Sequence, residues 1–144
     1  MILPDVNVLV YAFDRDAPHH DGYRVWLGRV RSAHEDLALV PSVLTGFVRI
    51  VTHPRIMPKP APTATAVAFV TALIATPNVR WLHDATATWQ TFAELCRDDR
   101  GIKASLVPDA YIAATAKTHG ARVATADRGF ARYGVPFFDP VERP

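Results

Sequence analysis

The sequence predicts an α/β fold, with a central, mainly parallel sheet of four to five strands covered by helices on both faces, in one domain spanning residues 1–144. Three observations predict it. Short apolar runs at 2–3, 37–40, 79–82 and 121–125 are bounded by proline, glycine or polar residues, as buried strands are. Longer runs of helical period lie between them, and strands that alternate with helices pair in parallel through crossovers. A chain of 144 residues can also bury roughly two thirds of its unfolded surface, so one core suffices without disulfide or metal staples.

Taken in order, Ile2 and Leu3 start a short strand, Pro4 cannot continue a central ladder, and residues 6–13 supply two helical turns. Asp5 therefore falls at the carboxyl end of the strand. A carboxylate there either caps the following helix or, because ligands gather outside the carboxyl ends of parallel strands, faces a metal or a phosphate. Residues 14–18 read as a polar turn, and Pro18 opens a helix running to about residue 34. Its Tyr23, Trp26, Leu27 and Val30 share one stripe, while His19 and His20 point about 100° apart and suit a solvated helix start better than a metal pair.

The second strand, 37–40, stops at Pro41, and Ser42 is placed to cap a helix over 43–52. Four prolines within 54–62 make a stiff surface connection. The helix at 63–76 is apolar around much of its circumference, as expected where a second molecule covers the side that the core does not. After the third strand at 79–82 come His83 and Asp84, then a helix over 85–97 whose Trp89, Phe92, Ala93 and Cys96 form a stripe expected to pack into the core rather than to stack on bases. Residues 98–106 make a polar loop near the site, free to move.

A further helix starts at 107–108 with proline in its first turn and Asp109 directly after, where the helix dipole stabilises negative charge. Asp109 heads a ridge with Ile112, Ala113 and Ala116, which turns its carboxylate along the sheet side. Gly120 ends that helix, 121–125 is a fourth buried strand, and Asp127 off its end repeats the placement of Asp5. An edge strand at 135–138 and a tail at 139–144 complete the chain.

Net charge is only +2, yet residues 37–83 contain no Asp or Glu while Arg49, Arg55, Lys59 and Arg80 fall there, so one region carries unbalanced positive charge. The single cysteine, Cys96, excludes an intrachain disulfide and offers no zinc spacing, which suits a reducing cytoplasm. The chain shows no leader-like start and no apolar run near the roughly 20 residues that span a bilayer. A cytoplasmic protein with no membrane association is expected.

Three aspartates, Asp5, Asp109 and Asp127, thus converge on one rim, and like charges this close repel unless a cation joins them. Their surroundings, Pro4-Asp5-Val6-Asn7-Val8-Leu9, Pro108-Asp109-Ala110-Tyr111-Ile112-Ala113-Ala114 and Thr125-Ala126-Asp127-Arg128-Gly129-Phe130, resemble the three acidic motifs of the PIN-domain family, and within it the VapC toxins of bacterial toxin–antitoxin modules. The resemblance covers nearly the whole chain. It implies a three-layer α/β/α sandwich, an endoribonuclease dependent on Mg²⁺ with Mn²⁺ as substitute, a homodimer, and a VapB-type antitoxin that occupies the site. Carried over by position, Asp5, Asp109 and Asp127 are the catalytic acids, with Asp5 and Asp109 as metal ligands. Asn7 and Thr125 match polar positions that orient the acids, and Arg128 and Arg49 are candidates for RNA phosphate contact.

One departure stands out. PIN nucleases usually carry a further acid, commonly Glu, on the helix after the second strand, and here Gly46 takes that position in a helix with no acid. Asp98, Asp99 or a bound water are the candidates to replace it. The competing reading is an RNA-binding module that lost turnover when Gly46 replaced the acid. Phosphoryl transfer by an aspartyl nucleophile has little support, because Asp5-Val6-Asn7-Val8 lacks the second Asp of dehalogenase-like phosphatases and no phosphate-cradling glycine loop is present.

Overall fold

The structure, a computed structural model, describes residues 1–83 and 85–141; Asp84 and the end of the tail, residues 142–144, lie outside the described residues. The strands are β1 (Ile2–Pro4), β2 (Leu37–Leu39), β3 (Val79–Trp81), β4 (Arg122–Ala124) and β5 (Phe137–Phe138). The helices are α1 (Val6–Phe13), α2 (His20–Arg31), α3 (Pro41–Val51), α4 (Thr63–Ile74), α5 (Thr86–Asp98) and α6 (Leu106–His119), with a 3-10 helix at Arg128–Tyr133 after β4. The strands form one sheet in the order β3-β2-β1-β4-β5, and every neighbouring pair is parallel, as the alternation of elements predicts.

The chain steps outward from β1 to β2 to β3, then crosses back to lay β4 on the other side of β1. Right-handed crossovers put helices on both faces of such a sheet. The packing agrees, since α1 lies against α2 and α3, α3 against α4, and α5 against α6. Leu3, Leu37, Leu39 and Val123 are fully buried at the centre, whereas Trp81 on the edge strand β3 is 37% exposed. β1 runs one residue further than expected: Pro4 pairs in register with Ala124 and is the last residue of the strand, where its missing N–H costs least.

Several boundaries differ for identifiable reasons. α2 begins at His20 rather than Pro18, because His19 sits in the left-handed region at φ 59° and the helical ladder can start only after it. α3 begins at Pro41, not after a Ser42 cap; proline fits the first helical position, and the Ser42 side chain caps nothing. The clearest correction concerns α5. Its only buried residue is Thr88, Trp89 is 60% exposed, and Phe92 and Cys96 are half-buried. The helix packs on α6 in the outer layer, so Phe92 only abuts the edge of the core while Trp89 stands on the border of a surface groove. The 98–106 loop is also tied down. Asp99 accepts from the Gly101 N–H at 2.8 Å and pairs with Arg132 at 3.1 Å. The tail is docked at its start, where the Tyr23 hydroxyl donates to Asp139 at 2.9 Å.

Candidate active site

In a sheet of this order the direction of winding reverses between β1 and β4, the place where α/β folds leave a crevice at the carboxyl edge. Asp5 follows β1 directly, and Thr125 and Asp127 follow β4. The backbone N–H of Asp5 donates to the Ala124 carbonyl at 2.9 Å, which extends the ladder to the rim and fixes the two strand ends against each other.

Asp5 is 4% exposed and caps the helix that follows β1. One carboxylate oxygen, Oδ1, accepts from the Val6 N–H at 2.6 Å and caps α1, while Oδ2 accepts from Asn7 Nδ2 at 2.6 Å and from the Thr125 hydroxyl at 2.8 Å. Three donors occupy three of a carboxylate's roughly four lone-pair sites and leave one for a ligand. Burial still pushes its pKa above the ordinary value, against the lowering effect of those donors, and the Asp127 charge adds to the rise.

Thr125, 1% exposed, is the hub of this arrangement. Its Oγ1 donates to Asp5, accepts from Asn7 Nδ2 at 3.1 Å and accepts from the Asp127 N–H at 3.0 Å. Asn7 completes the link, since its Oδ1 takes the Ala126 N–H at 3.2 Å. Asn7 and Thr125 thus both donate to the Asp5 carboxylate, and Asn7 donates to Thr125 as well.

Asp127 is exposed and caps the 3-10 helix through the Gly129 N–H at 2.7 Å. A side chain at 129 would press its Cβ to 2.9 Å from the Asp127 carboxylate, so glycine is required for this cap. Asp109 lies in the first turn of α6, half-buried, and among the described residues its carboxylate accepts no hydrogen bond. Burial, then the charges of Asp5 and Asp127, push its pKa up to about 6. The three acids therefore share one electrostatic environment, and among the described residues no cation is paired to any of them.

The donor set fits a hard divalent ion. Carboxylate oxygens are its preferred ligands, and Asp109 carries a carboxylate that only a cation or a proton relieves. Among the described residues no three of His, Cys, Asp and Glu close tightly enough on one point to hold an ion unaided. Ions of the Mg²⁺ class commonly keep several waters beside one or two carboxylates.

Two further features bear on the site. Tyr133, which no motif or period singles out, donates its hydroxyl to the Leu106 carbonyl at 3.3 Å, and burial, then the Asp109 charge, push its pKa up to about 12. A cleft of about 770 Å³ opens beside the acids, bordered by Val6 and Pro108 and by Gly46, Arg49 and Trp89. Arg49 is thereby placed on its wall, while Arg128 stands exposed beside Asp127 and outside that lining. Of the candidates to replace the acid missing at Gly46, Asp99 is committed to Arg132 and Gly101.

A family model described as PIN domain matches residues 2–136. The ribonuclease VapC43 of Mycobacterium tuberculosis is 39% identical over 133 residues, which covers 92% of this chain and 90% of that one. The ribonuclease VapC31 of the same species is 35% identical over 133 residues, covering 92% and 93%. Among solved structures, VapBC2 from Rickettsia felis aligns with TM-score 0.71 at 18% identity, covering 96% of this chain and 98% of that one. VapC20 of Mycobacterium tuberculosis, described as a sarcin-ricin loop cleaving toxin, aligns with TM-score 0.69 at 18% identity, covering 94% and 96%.

Proposed function

The chain belongs to the PIN domain family, and from that premise we propose that it is a metal-dependent endoribonuclease acting as the toxin of a type II toxin–antitoxin pair. The single observation that carries the reading is Asp109, an uncompensated half-buried carboxylate that shares its field with Asp5 and Asp127 at the winding reversal of the sheet. Relatives that are 32–39% identical over most of the chain carry the name VapC ribonuclease, which supports RNA as the substrate class. It also favours turnover over an inert RNA-binding module.

Asp5 and Asp109 would hold Mg²⁺, with Mn²⁺ as a substitute. When bound, the ion supplies a water acidified for attack and positive charge against the scissile phosphate. Asp5 contributes its remaining lone-pair site and is held in orientation by Asn7 and Thr125. Asp127, with its Oδ1 spent on Gly129, keeps the other oxygen and would steer the attacking water. Arg128 and Arg49, both without a protein partner among the described residues, are the cations to meet RNA phosphates on either side of the acids.

A VapB-type antitoxin belongs to this reading through the VapC name of the relatives and the VapBC assembly solved from Rickettsia felis. A homodimer belongs to it through the outer side of α4, where Val67 is 47% and Ile74 40% exposed. No helix among the described residues is long and apolar enough to cross a membrane, and we place the protein in the cytoplasm. The deciding experiment incubates purified protein with total RNA. Cutting with Mg²⁺ is expected, arrested by chelator and reduced about a hundredfold or more in Asp5→Asn. An Asp5→Asn variant that cuts at the wild-type rate sinks the assignment.

A further inference from the structure

The groove beside the aspartates has a composition that the acidic site does not explain. Its walls come from α3 in one helical layer and α5 and α6 in the other, and Val6 and Pro108 on its border are the direct neighbours of Asp5 and Asp109. Trp89 stands 60% exposed on the rim, its ring 5.3 Å from Phe92, which in turn lies 5.6 Å from Tyr111, so three aromatic rings line one side in a row. Arg49 faces them with no partner among the described residues, and no acidic side chain is among the described lining. Gly46 keeps the floor open. Even a Cβ there would press to 3.2 Å from a Val6 methyl.

An exposed tryptophan in a row of rings, faced by an unpaired guanidinium and free of carboxylates, is the chemistry of a base-and-phosphate subsite. Every nucleobase offers a π-face to stack, and its backbone offers an anion to the arginine. Continuity with the acids narrows the occupant further. A phosphodiester positioned at Asp5 and Asp109 carries its neighbouring nucleotide directly over Val6 and Pro108. We propose that this groove seats a nucleobase flanking the cleaved phosphodiester, stacked against Trp89, while Arg49 holds the adjoining phosphate. This rests on the ribonuclease reading above and adds to it the position at which the substrate is gripped.

The test measures binding with cleavage switched off. In chelator, the full-length protein is titrated into a labelled 12-nucleotide single-stranded RNA and followed by fluorescence anisotropy. Because Trp89 projects into solvent, its replacement leaves the fold intact. Trp89→Ala is expected to weaken binding about tenfold, while Trp89→Phe stays within about threefold. The same RNA with central riboses lacking bases should bind wild type and Trp89→Ala alike. Arg49→Gln should lower the slope of log affinity against log salt by about 0.7, the share of one single-strand phosphate.

A Trp89→Ala protein that holds intact RNA as tightly as wild type overturns the proposal. So does an equal loss on the base-free RNA, or retention of RNA with loss of an antitoxin partner, which would give the groove to a protein. Mg²⁺-dependent cutting by the wild type is scored separately. A wild type that binds through Trp89 but never cuts sinks the nuclease and spares the groove, and one that cuts equally well as Trp89→Ala does the reverse.

Discussion

At Thr125 a hydroxyl does what no apolar isostere can, giving one hydrogen bond to Asp5 while receiving two, from Asn7 and from the Asp127 backbone. Thr125→Val keeps the shape and deletes all three, so a loss of about 1–3 kcal/mol in denaturant stability is expected, with Thr125→Ser largely restoring it. Asp109 makes a prediction of opposite sign. Its pKa, about 6 in the folded chain against 3.8 in the reference state, means that the unfolded carboxyl ionises first as pH rises. Metal-free protein therefore loses stability between about pH 4 and pH 6, and the loss is complete above that window. Asp109→Asn should stabilise at pH 7.5 by about 1 kcal/mol, allowing for solvent screening of a half-buried group, and by nothing at pH 4 in thermal melts. The acids and their orienting partners were legible because strand ends and short motifs name them. Tyr133 and the Asp99–Arg132 pair were not, since contacts 27 and 33 residues apart leave no periodic mark.

Among the elements, α6 was the easiest to read and α5 the hardest. The alanines of α6, including Ala110, Ala113 and Ala116, are completely buried because the helix lies close against its neighbours and admits only small side chains. Ala113→Leu should accordingly cost about 1–3 kcal/mol through overpacking, measured as a lower denaturation midpoint at unchanged slope. In α5 the same periodic rule misleads. A stripe of Trp89, Phe92 and Cys96 records only that one side differs from the other, and that side borders a groove as well as α6. Helix starts failed where a local event overrode the pattern, as with the left-handed His19 before α2. The all-round apolarity of α4 was visible in sequence, and its exposed Val67 and Ile74 are the structural counterpart. On the proposed homodimer reading, charging both, Val67→Asp with Ile74→Asp, should leave a monomer in light scattering with little change in melting temperature.

For the molecule as a whole, the sequence established a parallel sheet but not its strand order, because alternation is equally consistent with several windings. The order β3-β2-β1-β4-β5 is what sets Asp5 and Asp127 at adjacent strand ends although 122 positions separate them in sequence. A ligand that binds only the assembled state stabilises it in proportion to its occupancy. Mg²⁺ should therefore raise the melting temperature by a few degrees near neutral pH, and either Asp5→Asn or Asp109→Asn should erase the gain. An equal gain in both variants would place the ion elsewhere.

The Thr125–Asp5 hydrogen bond joins residues separated by 120 positions. A ribosome that has finished α6 has therefore made two of the acids but not the hub that holds Asp5, and on the proposed ribonuclease reading the nascent polypeptide would spare the RNA from which it is being read. Lethality, on the proposed reading, switches on only after β4 inserts beside β1, late in synthesis, which leaves a freshly translated neutralising partner time to be waiting.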